Sequence, residues 1–185
     1  ESEEYLSMVQ DTLGKNFQDR RLMRLGVSAS NGGIAWLHPY IDEQGKFQTM
    51  IIPPEQGIPL WRDNDHEELN GFIWFYNVQV IEGQEQKTVT KVEYWLPEAV
   101  AYYISDSEGE GWDLRLDSER YLDAVADENS EFMEHFHIGK EAGNWGRVPF
   151  VPFKNNDYEL PDLKFVKSLI DGYDKARSDV ANFLD

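Results

Sequence analysis

The sequence predicts an α+β fold: an antiparallel β-sheet meander flanked by N-terminal helices, with a long C-terminal helix. Three observations lead there. Apolar residues near the start recur at helical spacing, and the period changes at Asn31-Gly32-Gly33. From Ile34 to Leu116, runs rich in aromatic and β-branched residues follow one another across short turns, a spacing that suits a meander and not βαβ units. Beyond Pro161, apolar residues return to helical spacing and keep it to the last positions.

The opening carries Tyr5, Met8, Val9 and Leu13 at helical spacing, with Gly14 as the expected stop. A second helix is expected from near Asn16 towards Ala29, carrying Phe17, Leu22, Met23 and Leu25. Ile34–Ile41 then reads as a strand, Asp42-Glu43-Gln44-Gly45 as a turn, and Phe47–Ile52 as the returning strand of a hairpin that Pro53-Pro54 ends. Further strands are expected at Gly57–Trp61, Gly71–Ile81, Lys87–Leu96, Ala99–Ile104 and Trp112–Leu116, with turns at 82–85 and 106–111. Ser118–Glu134 reads as an acidic loop with a helical turn at Tyr121–Ala126, and Met133–Ile138 and Arg147–Phe153 as the final strands. Pro161-Asp162 supplies a helix start. One apolar row follows through Leu163, Val166, Ile170, Tyr173, Val180 and Leu184, and a second through Leu169, Ala176 and Phe183. The face is about 23 residues long, roughly 35 Å at 1.5 Å per residue. Such a helix either continues into another domain, packs between subunits, or caps its own sheet. The first residue is Glu1 and not Met, and Asp185 falls within the helical pattern, so a piece of a longer protein is expected.

Composition narrows the function classes. The chain has 185 residues, 17 Lys and Arg against 35 Asp and Glu, a net charge of −18 and no cysteine. At 41% hydrophobic and 14% aromatic it is too apolar to be disordered. Without cysteine there is no disulfide scaffold, zinc finger or thiol nucleophile. No apolar run approaches the roughly 20 residues that span a bilayer, and there is no signal peptide, so no membrane role and a soluble protein of a reducing compartment are expected. The charge is wrong for a domain that grips phosphates. It is also uneven: from Asn144 to Leu184 six basic and six acidic residues cancel, so almost all of the excess lies in residues 1–143. That excess is either a solvated acidic surface, a surface that repels DNA, or one that docks a basic partner.

No catalytic constellation survives inspection. His66-Glu67-Glu68-Leu69 starts like the zinc-protease HExxH, but Asn70 stands where the second ligand is needed. Gly26-Val27-Ser28-Ala29-Ser30 lacks the closing glycine of a nucleophile elbow and lies in a helix. Residues 106–117 match part of a calcium loop, but the left flank, Ala101–Ile104, is strand-like where a helix is needed, so a hairpin turn is expected. His135 and His137 share one face of an expected strand beside Glu131 and Glu134, a spacing that can serve a metal; surface histidines in an acidic segment are the plainer reading. Neither phosphate-cradle motif is present, and the six Trp read as core and sheet-face packing. No catalytic, cofactor-binding or metal residue is therefore assigned, and no cofactor is expected.

The C-terminal third holds a more specific pattern. Gly146-Arg147-Val148-Pro149-Phe150-Val151-Pro152-Phe153-Lys154-Asn155-Asn156 leads into Asp162-Leu163, then Leu169-Ile170-Asp171-Gly172-Tyr173-Asp174-Lys175-Ala176-Arg177-Ser178-Asp179. This resembles the portal proteins of tailed bacteriophages, of the type found in siphophages and prophages of Gram-positive bacteria. There a "G-x-[IV]-P" strand and an "F-x-N-N" turn precede a helix reading "L-I-D-x-Y-[ND]-x-x-x-S-D". Upstream, Ser28-Ala29-Ser30-Asn31-Gly32-Gly33-Ile34-Ala35-Trp36, Tyr40-Ile41-Asp42 and Ile51-Ile52-Pro53-Pro54 agree with the family, so the resemblance covers about residues 16–184. It implies a structural virion protein and not an enzyme. Residues 1–159 would form the wing domain and 160–185 the start of the stem helix. The longer protein would form a homo-oligomeric ring, normally a dodecamer, at the portal vertex of the head. DNA would pass through it in packaging and ejection without sequence-specific binding. The implied partners are the terminase large subunit, capsid or scaffold proteins and head-completion proteins, with assembly in the bacterial host cytoplasm. Two other readings stay open: a metal-dependent hydrolase built on residues 131–137, and an acidic adaptor domain that binds a basic partner.

Overall fold

The structure is a computed structural model, and it describes residues 2–16, 19–42, 44–83, 85–106, 113–122, 131–138 and 141–184. The helices are α1 (Ser2–Asn16), α2 (Asp19–Gly32), α3 (Ser118–Leu122) and α4 (Leu163–Leu184). The strands are β1 (Ile34–Ile41), β2 (Phe47–Ile52), β3 (Gly57–Trp61), β4 (Leu69–Glu82), β5 (Glu85–Trp95), β6 (Val100–Ser105), β7 (Arg115–Leu116), β8 (Phe136–Ile138), β9 (Glu141–Gly143) and β10 (Val151–Lys154). The sheet orders are β10-β1-β2, β3-β4-β5-β6-β7 and β8-β9. The second is the expected antiparallel meander. The chain divides into two compact units: residues 1–37 with 152–185, and residues 38–151.

In the first unit Leu25, Ala29, Ala35, Trp36 and Leu37 are buried. Helix α2 ends where Gly33 turns to φ +88° and returns its N–H to the Ala29 carbonyl at 2.6 Å, a left-handed stop that only glycine adopts without strain. Gly14 was the expected stop of the first helix, yet α1 runs on to Asn16, because Gly14 does not take the left-handed conformation. The second helix lies about three residues later than expected at both ends, and Phe17 is outside the described residues.

The second unit is built on the long β4–β5 ribbon, paired from Phe72↔Trp95 to Glu82↔Glu85. Pairing across strands puts Phe72, Trp74 and Tyr76 on one face with Lys91, Glu93 and Trp95 and with Val100 and Tyr102. That face carries the aromatic cluster, while Val92 and Ala101 are buried on the other. The Phe72 ring stacks on Phe150 at 3.9 Å, Phe150 on His38 at 4.4 Å, and Trp95 meets His38 edge-on at 4.9 Å. Phe72 also covers Gly57, where a Cβ would overlap its ring. Gly45 and Gly83, both at positive φ, turn the two hairpins.

The late strands depart from expectation. Of Met133–Ile138, only Phe136–Ile138 is strand, and Met133 forms a single bridge to Val100, because the His135 backbone N–H goes to the Asn144 side chain at 3.2 Å. Of Arg147–Phe153, the strand keeps only the end and extends to Lys154; Pro149 has no N–H, and the Phe150 N–H turns back to Val148. The two-residue β7 is shorter than expected, with Trp112 outside the described residues. The helical turn expected at Tyr121–Ala126 lies earlier, as α3, with 123–130 outside the described residues. No helix among the described residues is long and apolar enough to cross a membrane.

Gly33→Ala is expected to lower stability by roughly 2–4 kcal/mol, since the residue needs positive φ and its Cβ would overlap the Glu159 carbonyl oxygen. Denaturant unfolding checks this; a loss below about 0.5 kcal/mol contradicts it.

Candidate functional site: the anchored base of the long helix

The part of the sequence with the most specific motif builds the base of α4, within the first unit. Asn155 and Asn156 form the turn. The Asn155 N–H donates to the Gly33 carbonyl at 2.9 Å, and its Nδ2 donates to the Leu160 carbonyl at 3.0 Å and to Asp162 Oδ1 at 2.7 Å. Asn156 Nδ2 donates to the same carbonyl at 2.7 Å, and its Oδ1 accepts the N–H groups of Tyr158 and Leu160. Asparagine suits both places because one amide supplies a donor and an acceptor at fixed separation. Glu159 takes φ +54° and pairs with Lys154 at 2.9 Å.

Asp162 stands just before the first residue of α4, the place for an N-cap. Its carboxylate instead faces α2: Ser30 Oγ donates to Oδ2 at 2.6 Å, and the Asp162 N–H donates to the Ser30 carbonyl at 3.0 Å. Ser30, then Asn155, holds this carboxyl below the usual aspartate range. Two helix ends separated by 132 residues in sequence are thereby joined through side chain and backbone. Above this base α4 is uncovered: Val166 is 44% exposed, Leu169 71% and Phe183 89%. Both apolar rows are thus exposed at their described residues.

The residues weighed for chemistry are otherwise engaged. His135 Nε2 lies 2.9 Å from the Leu96 carbonyl and 3.3 Å from that of Ala99, so it carries the proton; Nδ1 accepts the Trp145 N–H at 3.2 Å. No lone pair remains for a metal. Burial lowers the pKa of His135, while His137 is exposed on β8. Among the described residues no group of three or more His, Asp or Glu is arranged to hold a metal. With both ring nitrogens of His135 engaged, nothing in this geometry favours the hydrolase reading of residues 131–137. His66 stacks on Trp61 in a turn at φ +58°, not on a helix, and Ser28 lies within α2. The calcium-loop match follows strand β6 where a helix is needed, and its own residues 115–116 are strand β7, while 107–112 lie outside the described residues.

Two buried groups carry no sequence signal. His38, within a strand of hydrophobic neighbours, donates from Nδ1 to the Pro149 carbonyl at 2.7 Å, and burial lowers its pKa to about 4. Glu93 is 3% exposed; it accepts Tyr76 Oη–H at 2.9 Å and Trp95 Nε1–H at 3.0 Å and pairs with Arg120 at 3.3 Å. Arg120 lies over the Tyr102 ring at 4.5 Å, and Lys91 pairs with Asp117 at 3.0 Å. Strand β5 thus presents a cation and an anion two residues apart, and Asp117 and Arg120 answer with the opposite signs. This fastens α3 to the sheet. Burial pushes the Glu93 carboxyl upward, and Arg120 opposes that shift.

Two outcomes follow from these groups. In an NMR titration the folded protein should keep His38 neutral at pH 5.5. Since its pKa is lowered from 6.5 to about 4, unfolding gains a proton as pH falls through that window, and stability drops by about 1.4 kcal/mol per unit there. A His38 that titrates near 6.5 contradicts this. Arg120→Met should cost about 1–3 kcal/mol at pH 7, the lower end applying because Arg120 is 39% exposed at the side chain. The loss should shrink at lower pH, where Glu93, with its raised pKa, takes up a proton. Adding Glu93→Gln should recover part of it; equal unfolding midpoints of wild type and Arg120→Met at pH 7 would sink the clamp.

A family model described as "Phage portal protein, SPP1 Gp6-like" matches residues 1–185. The portal protein of Bacillus phage SPP1 is 36% identical over 149 residues, covering 80% of this chain and 27% of the relative. The portal protein of Clostridium phage phiCD119 is 32% identical over 187 aligned positions, covering 96% of this chain and 37% of the relative. The chain therefore spans about a quarter to two-fifths of the length of these relatives. With the bracket of Asn155, Asn156 and Asp162 formed by the motif residues themselves, the chain belongs to the SPP1-type family of phage portal proteins.

Proposed function

We propose that residues 1–159 are the wing domain, and 160–185 the start of the stem helix, of a longer portal subunit with a structural and not an enzymatic role. Subunits form a ring, a dodecamer by family precedent, at the portal vertex of the virion head, after assembly in the host cytoplasm. DNA passes through the ring in packaging and ejection. Terminase, capsid or scaffold proteins and head-completion proteins meet the full-length subunit.

The observation that carries this reading is α4, fixed at its base and exposed along both apolar rows, a helix built to be covered by something beyond this chain. The charge agrees with it. A conduit must release its cargo, and a net charge of −18 offers DNA no general grip. The acidic-adaptor alternative explains the charge but not the helix.

Analytical ultracentrifugation should find rings for the full-length subunit and a monomer or weak association for this 185-residue chain. A full-length subunit that stays monomeric at all concentrations overturns the proposal.

A further inference from the structure

Helix α2 is an exception to the charge of the molecule. Across Asp19–Gly32 it carries Arg20, Arg21 and Arg24 against Asp19 alone, in a chain of net charge −18. Its inner row, Leu25 and Ala29, is buried. Its outer row runs Arg20, Met23, Arg24, Val27, at spacings of three and four residues that put all four on one face. All four are exposed, Met23 at 69% and Val27 at 56%. Two cations alternating with two apolar side chains form a compact patch whose complement is acidic and partly apolar.

This inference rests on the ring reading above, and it names a contact within that ring. Copies of a chain with this charge repel one another, and a ring joins two different surfaces of each copy in every contact. Closure is therefore favoured where a basic patch of one copy meets the acidic surface of the next. Several other cations already face acids of their own copy: Arg62 faces Glu68 at 2.9 Å, Arg115 faces Asp106 at 2.7 Å, and Lys167 faces Asp171 at 2.9 Å. We infer that the Arg20–Met23–Arg24–Val27 row of α2 docks on the acidic surface of a neighbouring copy and steers ring closure.

The test uses the full-length subunit and three variants: Arg20→Glu/Arg24→Glu, the milder Arg20→Gln/Arg24→Gln, and Arg62→Glu/Arg115→Glu as a control with the same change in net charge as the first. Circular dichroism reports folding, and sedimentation velocity across a concentration series reports assembly. The α2 reversal is expected to raise the concentration for half-assembly by about tenfold or more, the Gln pair by less, and the control by no more than about twofold. Wild-type assembly should also respond more to salt than that of the Gln pair. Rings of the α2 reversal at wild-type concentrations overturn the inference while leaving the ring reading intact. Equal weakening by the control assigns the effect to net charge and overturns it too. So does an α2 reversal that forms normal rings but fails to enter phage heads, which gives the patch to another head protein. A wild-type subunit that forms no ring overturns the ring reading, and this inference with it.

Discussion

The long helix takes its direction from its base, because the apolar side chains described along the rest of it are exposed. That base is a close backbone approach, with the Glu159 carbonyl against Gly33 leaving no room for a Cβ. Around it Asn155, Asn156, Ser30 and Asp162 close a set of hydrogen bonds that includes both helix ends. The demand for stiffness is mechanical. A 22-residue helix is about 33 Å long, so a slack of about 5° at the base moves its tip by on the order of 3 Å. Short, multiply bonded groups at the pivot limit that slack better than a single apolar contact. This explains why a carboxylate placed to cap α4 reaches across to Ser30 instead. Its bond to the other helix adds rigidity that a bond to its own first turn would not.

The second unit meets a different constraint, polar groups inside an aromatic core. His38, His135 and Glu93 are buried at 2%, 7% and 3% exposure; His38 is bonded through Nδ1, His135 through both ring nitrogens and Glu93 through both carboxylate oxygens. No buried side-chain nitrogen or oxygen among the described residues lacks a hydrogen bond. An imidazole whose two nitrogens both face backbone groups is a linker between strands and loops, unavailable for proton transfer or metal binding. The same atoms that would suggest chemistry in a sequence act here as cross-ties. Their cost is conditional stability, since protonating His38 buries a charge and removing Arg120 strands a buried carboxylate.

Much of this was legible in the sequence, for identifiable reasons. The bounds of β1, β2 and β3 follow from apolar, aromatic and β-branched runs closed off by Asp-containing or proline turns, where local chemistry decides. The start of α4 follows from Pro161-Asp162 and a periodicity strong enough to need no tertiary help. Gly14 misled because glycine permits a helix stop without requiring one. Strand β9, Glu-Ala-Gly, has no pattern at all; it exists because Phe136 covers Gly143, where a Cβ would lie 2.6 Å from the ring. The Ser30–Asp162 tie and the Glu93–Arg120 pair were beyond reach for one reason. Serine, aspartate, glutamate and arginine are common surface residues, and only the fold brings these particular ones together. Resemblance marked Asn155 and Asn156 as a motif, but their role as donors to one carbonyl is geometric.

Charge and exposed apolar surface combine into one condition on association. An uncovered apolar helix favours contact with any matching surface, and in a neutral protein it would invite disordered aggregation. Here the acidic excess of residues 1–143 opposes random approach of copies, while the balanced charges of residues 144–184 leave α4 without that opposition. Approach is least hindered where the charges cancel, and α4 offers both the apolar rows and the cancellation. The acidic surface thus acts as a filter on orientation: it disfavours every approach that sets acid against acid and so removes most of the ways in which the apolar attraction could be misused.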